Sequence, residues 1–113
     1  MKKTFVLAAT ALLAGSLASM AHATTTTIRG MQQYQQVVSY ADLNLESEAD
    51  ATILLDRIKS AARKVCGLDH ARILPLAIQY ELQDCAKDAT ARAINDVNAP
   101  LLTARQIVVR NDE

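Results

Sequence analysis

The two cysteines are the residues whose type and spacing most directly suggest chemistry. Cys66 and Cys85 are the only thiols in the 113-residue chain, and no Cys-x-x-Cys pair occurs. In an exported protein, an even number of cysteines favours a structural disulfide. Such a bond would close a loop of about 20 residues and stabilise the fold by about 3 kcal/mol in the chain-entropy account.

A redox-active thiol pair is the alternative for the same residues. Reactive thiolates are typically stabilised at a helix N-terminus and often belong to a Cys-x-x-Cys pair. The sequence predicts that Cys66 ends a helix, where the negative end of the helix dipole disfavours a thiolate. Arg63 and Lys64 offset this effect in part. The pattern favours a structural role and leaves thiol chemistry as the alternative.

The other reactive side chains form no recognisable catalytic or metal-binding pattern. Beyond residue 23, His70 is the single histidine, so a zinc site with several histidines cannot be assembled and a catalytic base is scarce. No nucleophile-elbow, phosphate-loop or zinc-protease motif occurs. We therefore predict no catalytic residue, no metal and no cofactor.

Three arginines form a candidate ligand set. Arg57, Arg63 and Arg72 would bind a small dianion if their side chains converged, as several arginines do in small exported helical mutases. A helical projection spreads them over the solvent face. A solvated helix face is therefore the favoured interpretation, and an anion-binding site is the alternative.

The first 23 residues have the three parts of a secretory signal peptide. Two lysines provide a positive start, residues 5–17 are apolar, and an Ala-His-Ala sequence ends at residue 23. The apolar stretch is shorter than the roughly 20 residues that a membrane-spanning helix needs. We predict cleavage near Ala23, a periplasmic or secreted location, and no stable membrane anchor after cleavage.

The composition excludes several classes of partner. The full chain carries 12 Lys+Arg against 12 Asp+Glu, and it has no Trp, one Phe and three Tyr. Cleavage after residue 23 would remove two lysines and leave a net charge of about −2, which offers no electrostatic footprint for nucleic acid or an anionic membrane. Three tyrosines are too few for a base-stacking platform. We predict one small domain with no nucleic-acid partner.

A first amphipathic helix is predicted over about 47–66. Its apolar residues recur at helical spacing on one face, and its charged residues occupy the other. Ser47 followed by Asp50 has the form of an acidic capping box. Gly67 follows the helix where a left-handed residue would end it, and Ile53 is the one large apolar residue predicted to face solvent.

A second helix is predicted over about 75–97. Pro75 suits a first helical turn, where its missing N–H group costs nothing. The apolar face begins with Ile78 and continues mainly with alanines, so a neighbouring helix can approach closely. Because antiparallel packing would place Cys66 near Cys85, we predict a disulfide-linked helical hairpin.

Short segments at either end predict the remaining elements. Residues 36–40 and 106–110 both have the composition of strands. The second segment is predicted either to pair with the first, which would give a β-α-α-β unit, or to fray as a polar tail. Residues 24–35, rich in Thr and Gln, are predicted to form a flexible N-terminal arm. The predicted fold class is α+β.

Several strings occur together in an informative combination. They are V-V-S-Y-A-D-L-N-L at 37–45, L-D-R-I at 55–58, A-A-R-K-V-C-G at 61–67 and N-A-P-L at 98–101, with a cysteine before the last. This combination resembles the UrcA family, a group of small exported two-cysteine proteins of Gram-negative bacteria. The resemblance covers about residues 36–104 and implies one small domain over 36–113 whose cysteines pair. It implies no catalytic residue, because no activity is established for the family.

These patterns predict an exported, non-catalytic binding or interaction module stabilised by one disulfide. The expected partner is another protein or a second copy of the chain, since exposed strand edges and Ile53 are available for contact. The alternatives are a small enzyme or anion-binding protein that uses the helix arginines, and a thiol-redox protein that uses the cysteines.

Overall fold

The computed structural model describes residues 23–31 and 34–111. These residues form β1 (Thr25–Arg29), β2 (Gln35–Ser39), α1 (Glu48–Val65), a 3-10 segment (Leu68–Ile73), α2 (Leu76–Val97) and α3 (Pro100–Asn111). Strands and helices packed together confirm the α+β class. The predicted signal peptide lies outside the described residues except for Ala23. Within the described residues, no helix is both long and apolar enough to cross a membrane.

The two strands form an antiparallel hairpin. Thr25 pairs with Ser39 at one end of the ladder, and Arg29 pairs with Gln35 at the other. β2 therefore confirms the strand predicted over 36–40, displaced by one residue. Both strands contact α1, so one face of the sheet is covered by helix and the other faces solvent.

The flexible arm predicted over 24–35 is wrong for residues 25–29, which form β1. Threonine is β-branched and suits an extended backbone. Thr26 and Ile28 point into the core, with Ile28 completely buried, while their neighbours are more exposed. This alternation cannot be recognised in the sequence, because in a run of threonines nothing indicates which one faces the interior.

α1 is amphipathic, as predicted, and its buried residues are Ala51, Leu54, Leu55, Ile58, Ala61, Ala62 and Val65. Ile53 faces solvent, as expected. The predicted capping box is wrong, because Ser47 makes no side-chain hydrogen bond at the helix start. Asp50 Oδ2 instead accepts a 2.7 Å hydrogen bond from the backbone N–H of Asn44, which stabilises the turn leading into the helix.

α1 and α2 form the predicted hairpin, and Gly67, at φ 74°, ends the first helix in the left-handed conformation. The apolar face of α2 is buried only in its second half. Between Ala71 and Ala86 no residue is fully buried, and Ile78, predicted for the buried face, is 41% exposed. The alanines from Ala86 onward allow α1 to approach closely, whereas the first turns of α2 have no core against which to pack.

The C-terminal strand predicted over 106–110 is wrong, because these residues belong to α3. Neither a pairing with β2 nor a frayed tail occurs there. Asn98, with φ 53°, ends α2 in the left-handed conformation, and Pro100 begins the new helix. Leu102 is completely buried and α3 packs against α1. This anchoring overrides the local β-branched composition.

The core lies between the sheet and the three helices. Its largest fully buried side chains are Ile28, Leu54, Ile58, Ile94 and Leu102. Gly30, which follows β1, lies directly against the backbone carbonyl of Val65, and a Cβ at this position would clash with it. Glycine is therefore required for the hairpin to close against the end of α1.

Candidate functional site

The predicted disulfide is confirmed. Cys66 and Cys85 are joined by an S–S bond of 2.02 Å, and their Cα atoms are 5.9 Å apart. Cys66 is buried, and Cys85 packs partly buried against the core. The bond links the end of α1 to the middle of α2. Its evident role is to hold the hairpin together, since any thiol chemistry would first require reduction.

The three candidate anion-binding arginines have separate surroundings. Arg57 donates two 2.8 Å hydrogen bonds to the carboxylate of Asp42. Arg63 approaches Asp69 at 3.4 Å, and Arg72 is exposed on the 3-10 segment. Because two of the three already face a carboxylate, the structure does not gather them into one cationic site.

A groove runs between β2 and α1. Its volume is about 470 Å³, and it is lined by Gln36, Val37, Val38, Ser39, Asp56, Arg57, Ser60 and Ala61. One wall is therefore the backbone of a strand and the other is the polar side of a helix. Arg57 is the one candidate site residue from the sequence that lies in this groove.

The hydrogen bonds at both ends of the hairpin define which groups of β2 face the groove. The N–H of Tyr40 donates to the carbonyl of Thr24, and the N–H of Gly30 donates to the carbonyl of Tyr34, each at 2.8 Å. Hydrogen-bonded and non-bonded pairs alternate along an antiparallel ladder. The even-numbered residues of β2 therefore bond to β1, and the odd-numbered residues direct their N–H and C=O groups away from it.

The outward backbone groups of β2 belong to Gln35, Val37 and Ser39. No other strand pairs with this edge in the described part of the chain. The side chain of Val37, on the solvent face of the sheet, is 61% exposed. A strand edge with unpaired N–H and C=O groups is a template on which another extended segment can pair.

Arg57 bonds to one end of this edge without blocking it, because a carbonyl oxygen has two lone pairs and can accept a second hydrogen bond. Its Nη1 donates a 3.1 Å hydrogen bond to the carbonyl of Ser39 while the guanidinium holds Asp42. The hydrogen bond from Arg57 lowers the pKa of Asp42 to about 2, and the same contact raises the pKa of Arg57. Arg57 therefore stays charged and in place, ties β2 to α1, and leaves the groups of Val37 free.

The opposite edge of the sheet is less accessible. α2 packs against β1, and Nη2 of Arg92 approaches the carbonyl of Arg29 at 3.4 Å. Each edge thus has an arginine at its last outward carbonyl, but only β1 also has a helix beside it. The β2 edge is the open one.

Other chemistry has little support in the residues that the structure describes. They contain no group of three or more His, Cys, Asp or Glu side chains placed to hold a metal ion. His70 is exposed on the 3-10 segment. The candidate site is therefore the groove along β2, where the outward groups of the strand backbone are unpaired.

The sequence predicts exposed strand edges as a contact surface but does not locate this groove. The sequence predicts the strand and the charged face of α1, but the free edge of β2 depends on where β1 pairs, and the residues of β1 fall in the segment predicted to be a flexible arm. The signal that could have located the groove is the β-branched composition of the Thr-rich segment, which is compatible with a second strand.

Comparison with known proteins adds no relative: no protein-family model matches the chain, and no match is found among the curated proteins or the solved structures.

Proposed function

We propose that this protein is an exported, non-catalytic interaction module that binds an extended polypeptide segment along β2. The observation that carries the proposal is the outward direction of the N–H and C=O groups of Val37, midway along an unpaired strand edge. Strand addition of this kind gains affinity from main-chain hydrogen bonds and specificity from alternate side chains.

The groove has the form that strand addition requires. The incoming backbone would pair with Gln35, Val37 and Ser39, and α1 would flank it with the polar side chains of Asp56 and Ser60. Both of these side chains are exposed, so they are available to contact a ligand. Alternate side chains of the ligand would lie on the solvent face of the sheet, beside Val37.

Export and membership of the UrcA family form part of the same proposal. The positive start, apolar stretch and Ala-His-Ala ending support cleavage near Ala23. The combined strings at 37–45 and 61–67 support the family. The disulfide is consistent with an oxidising compartment such as the periplasm or the extracellular space.

The anion-binding alternative has weaker support. Arg57 would have to leave both Asp42 and the carbonyl of Ser39 before it could bind an anion. Breaking that pair would also remove the hydrogen bond between α1 and the end of β2. The favourable contacts that the arginine already makes oppose this use.

The test is a selection of binding peptides by the disulfide-bonded protein. A displayed library of random peptides of about eight residues covers the length of a typical strand. Selected peptides are then titrated against isotope-labelled protein by NMR. We expect the largest amide shift changes at Gln35, Val37 and Ser39, with smaller changes at Asp56 and Ser60.

A pair of substitutions at one position separates backbone recognition from side-chain recognition. Val37→Pro removes the outward N–H but no ladder hydrogen bond, and proline is tolerated at such edge positions. It should weaken peptide binding by about tenfold, the effect of one lost hydrogen bond. Val37→Thr keeps both the N–H and the β-branched shape, and should bind within about threefold of the original protein.

Three results would overturn the proposal: no selected peptide, peptides whose shift changes map elsewhere, or equal binding by the Val37→Pro and Val37→Thr variants. Circular dichroism of both variants checks that the fold is retained. Peptides that cluster instead around Ile73 and Leu76, the exposed apolar residues before and at the start of α2, would assign the interaction to a different surface.

A further inference from the structure

We infer that the segment that occupies the β2 edge is β2 of a second copy, so that the protein forms a symmetric dimer with a continuous four-stranded sheet. This inference rests on the proposed strand-accepting function and names its partner. Three independent features of the described residues support it: the symmetry of the strand edge, the charges of the adjoining helix, and the position of that helix above the sheet.

The outward groups of β2 are self-complementary. Gln35, Val37 and Ser39 are evenly spaced about Val37, so an antiparallel copy centred there places Val37 opposite its own equivalent. Each Val37 N–H then meets the carbonyl of the other, and Gln35 meets Ser39 of the second copy. A two-fold axis through this point makes the same patch serve both sides of the interface.

The helix that flanks the edge can be aligned with this axis. The end of β2 lies beside Arg57, whose guanidinium bonds to Ser39. The opposite end of the hairpin lies beside Val65, against which Gly30 packs. Val37 is midway between these ends, so it is level with the middle of the 57–65 segment of α1, at Ala61 and the adjacent Ser60, which both line the same groove.

The charges on either side of Ser60 are complementary under the same two-fold axis. Asp56 lies one turn before it and Lys64 one turn after it, and both are exposed. The structure gives neither residue an ion-pair partner among the described residues. Rotation about the axis brings Asp56 of each copy opposite Lys64 of the other, which forms two equivalent ion pairs. The proposed signal cleavage removes Lys2 and Lys3 and leaves 10 basic and 12 acidic residues, so a net charge of only about −2 opposes association weakly.

The spacing of the elements allows both contacts together. α1 contacts both strands and therefore lies above the β1–β2 pair. Strands in a sheet are about 4.8 Å apart, so two such helices related by the axis lie about two strand spacings, or roughly 10 Å, apart. Packed helices are typically 8–10 Å apart. The strand and helix contacts therefore fit one dimer.

Sedimentation equilibrium of the disulfide-bonded protein, from about 1 μM to about 500 μM, tests this inference. We expect a monomer–dimer equilibrium within this range. Val37→Pro should raise the dimer dissociation constant by about tenfold or more, because each of the two copies loses an outward N–H. Hydrogen exchange gives a second readout: the amides of Gln35, Val37 and Ser39 should exchange more slowly as the concentration rises.

A charge exchange tests the register. Lys64→Glu or Asp56→Lys alone places like charges opposite each other twice in the dimer and should raise the dissociation constant by roughly tenfold. The double variant restores both pairs with their signs exchanged, and should dimerise within about threefold of the original protein. Lys87→Glu, an exposed reversal on α2, is the matched control and should have no effect.

The outcomes distinguish this inference from the function on which it rests. A protein that stays monomeric yet binds selected peptides at β2 overturns the dimer and keeps the strand-accepting function. A protein that does neither overturns both. A dimer that is insensitive to Val37→Pro, or that the charge exchange does not restore, places the interface elsewhere and overturns the inference. If the dimer is correct, peptides bound at β2 should also shift it toward monomer.

Discussion

Removal of the disulfide should loosen one part of the molecule more than the rest. The perturbation is the double substitution Cys66→Ala and Cys85→Ala. The bond closes the segment that contains the 3-10 segment and the first half of α2. Between Ala71 and Ala86 no side chain is fully buried, and Ile73 is 90% exposed. Ala71 and Leu68 pack the 3-10 segment against the core, but the covalent bond is the main attachment of the first half of α2.

The expected magnitude follows from the length of the closed loop. A loop of about 20 residues corresponds to about 3 kcal/mol of unfolding free energy in the chain-entropy account. For a domain of this size, 1 kcal/mol changes the melting temperature by about 4–8 °C, so the variant should melt roughly 12–24 °C lower. Local opening of the segment should become easier as well, because between Ala71 and Ala86 it has few core contacts of its own.

The assay combines thermal and urea denaturation with hydrogen exchange measured by mass spectrometry. Backbone amides over 68–84 should lose most of their protection in the variant, whereas those of α1 and the second half of α2 should remain protected. The control is the original protein after reduction and alkylation, which lacks the disulfide but retains a cysteine at 66 and 85. It separates the effect of losing the bond from the effect of replacing cysteine with alanine.

Two results would refute this reasoning. A loss of less than about 1 kcal/mol would show that the bond contributes little beyond packing. Uniform loss of protection over the whole chain would show that the segment and the core unfold as one unit, so that the exposed residues before Ala86 are more strongly attached than their burial indicates.

Three further changes have defined outcomes. The first concerns Asp42, whose pairing with Arg57 lowers the pKa of its carboxyl from 3.8 to about 2. The stabilisation that this pair provides is therefore fully present above about pH 4 and is lost toward pH 2. Asp42→Asn should flatten that part of an acid-unfolding profile, and an unchanged profile would contradict the pairing. Gly30→Ala should lower the unfolding free energy by about 1–3 kcal/mol, because its Cβ meets the Val65 carbonyl; urea denaturation measures the loss, and a neutral effect would contradict the close approach. Leu102→Ala should cost about 2–5 kcal/mol in the same assay because it empties a fully buried position, whereas a loss below about 0.5 kcal/mol would indicate a frayed C-terminus.

Patterns that repeat over one or two helical turns were readable in the sequence. The apolar face of α1, the solvent position of Ile53, the termination at Gly67 and the pairing of Cys66 with Cys85 all follow from periodicity and local signals. Such features depend on residues that are close in sequence, so their physical cause is visible without the rest of the fold.

Elements that depend on distant contacts were not readable in the same way. β1 is a strand because β2 pairs with it and because Ile28 enters the core, and neither fact is local. The residues at 106–110 are helical because Leu102 anchors α3 on α1, although their composition favours a strand. Tertiary packing overrides the strand propensity of these residues, since such propensities span only about 1 kcal/mol.

The amino-acid sequence by itself therefore determined the two hairpin helices, the disulfide between them and the absence of a recognisable catalytic motif. The tertiary structure decided which strand edge stays open and which helix charges lie beside it. The outward direction of Val37 follows from its register with Thr27, because shifting the pairing by one residue would turn its N–H and C=O toward β1. Register is a relation between two segments, so the candidate site exists only in the folded chain.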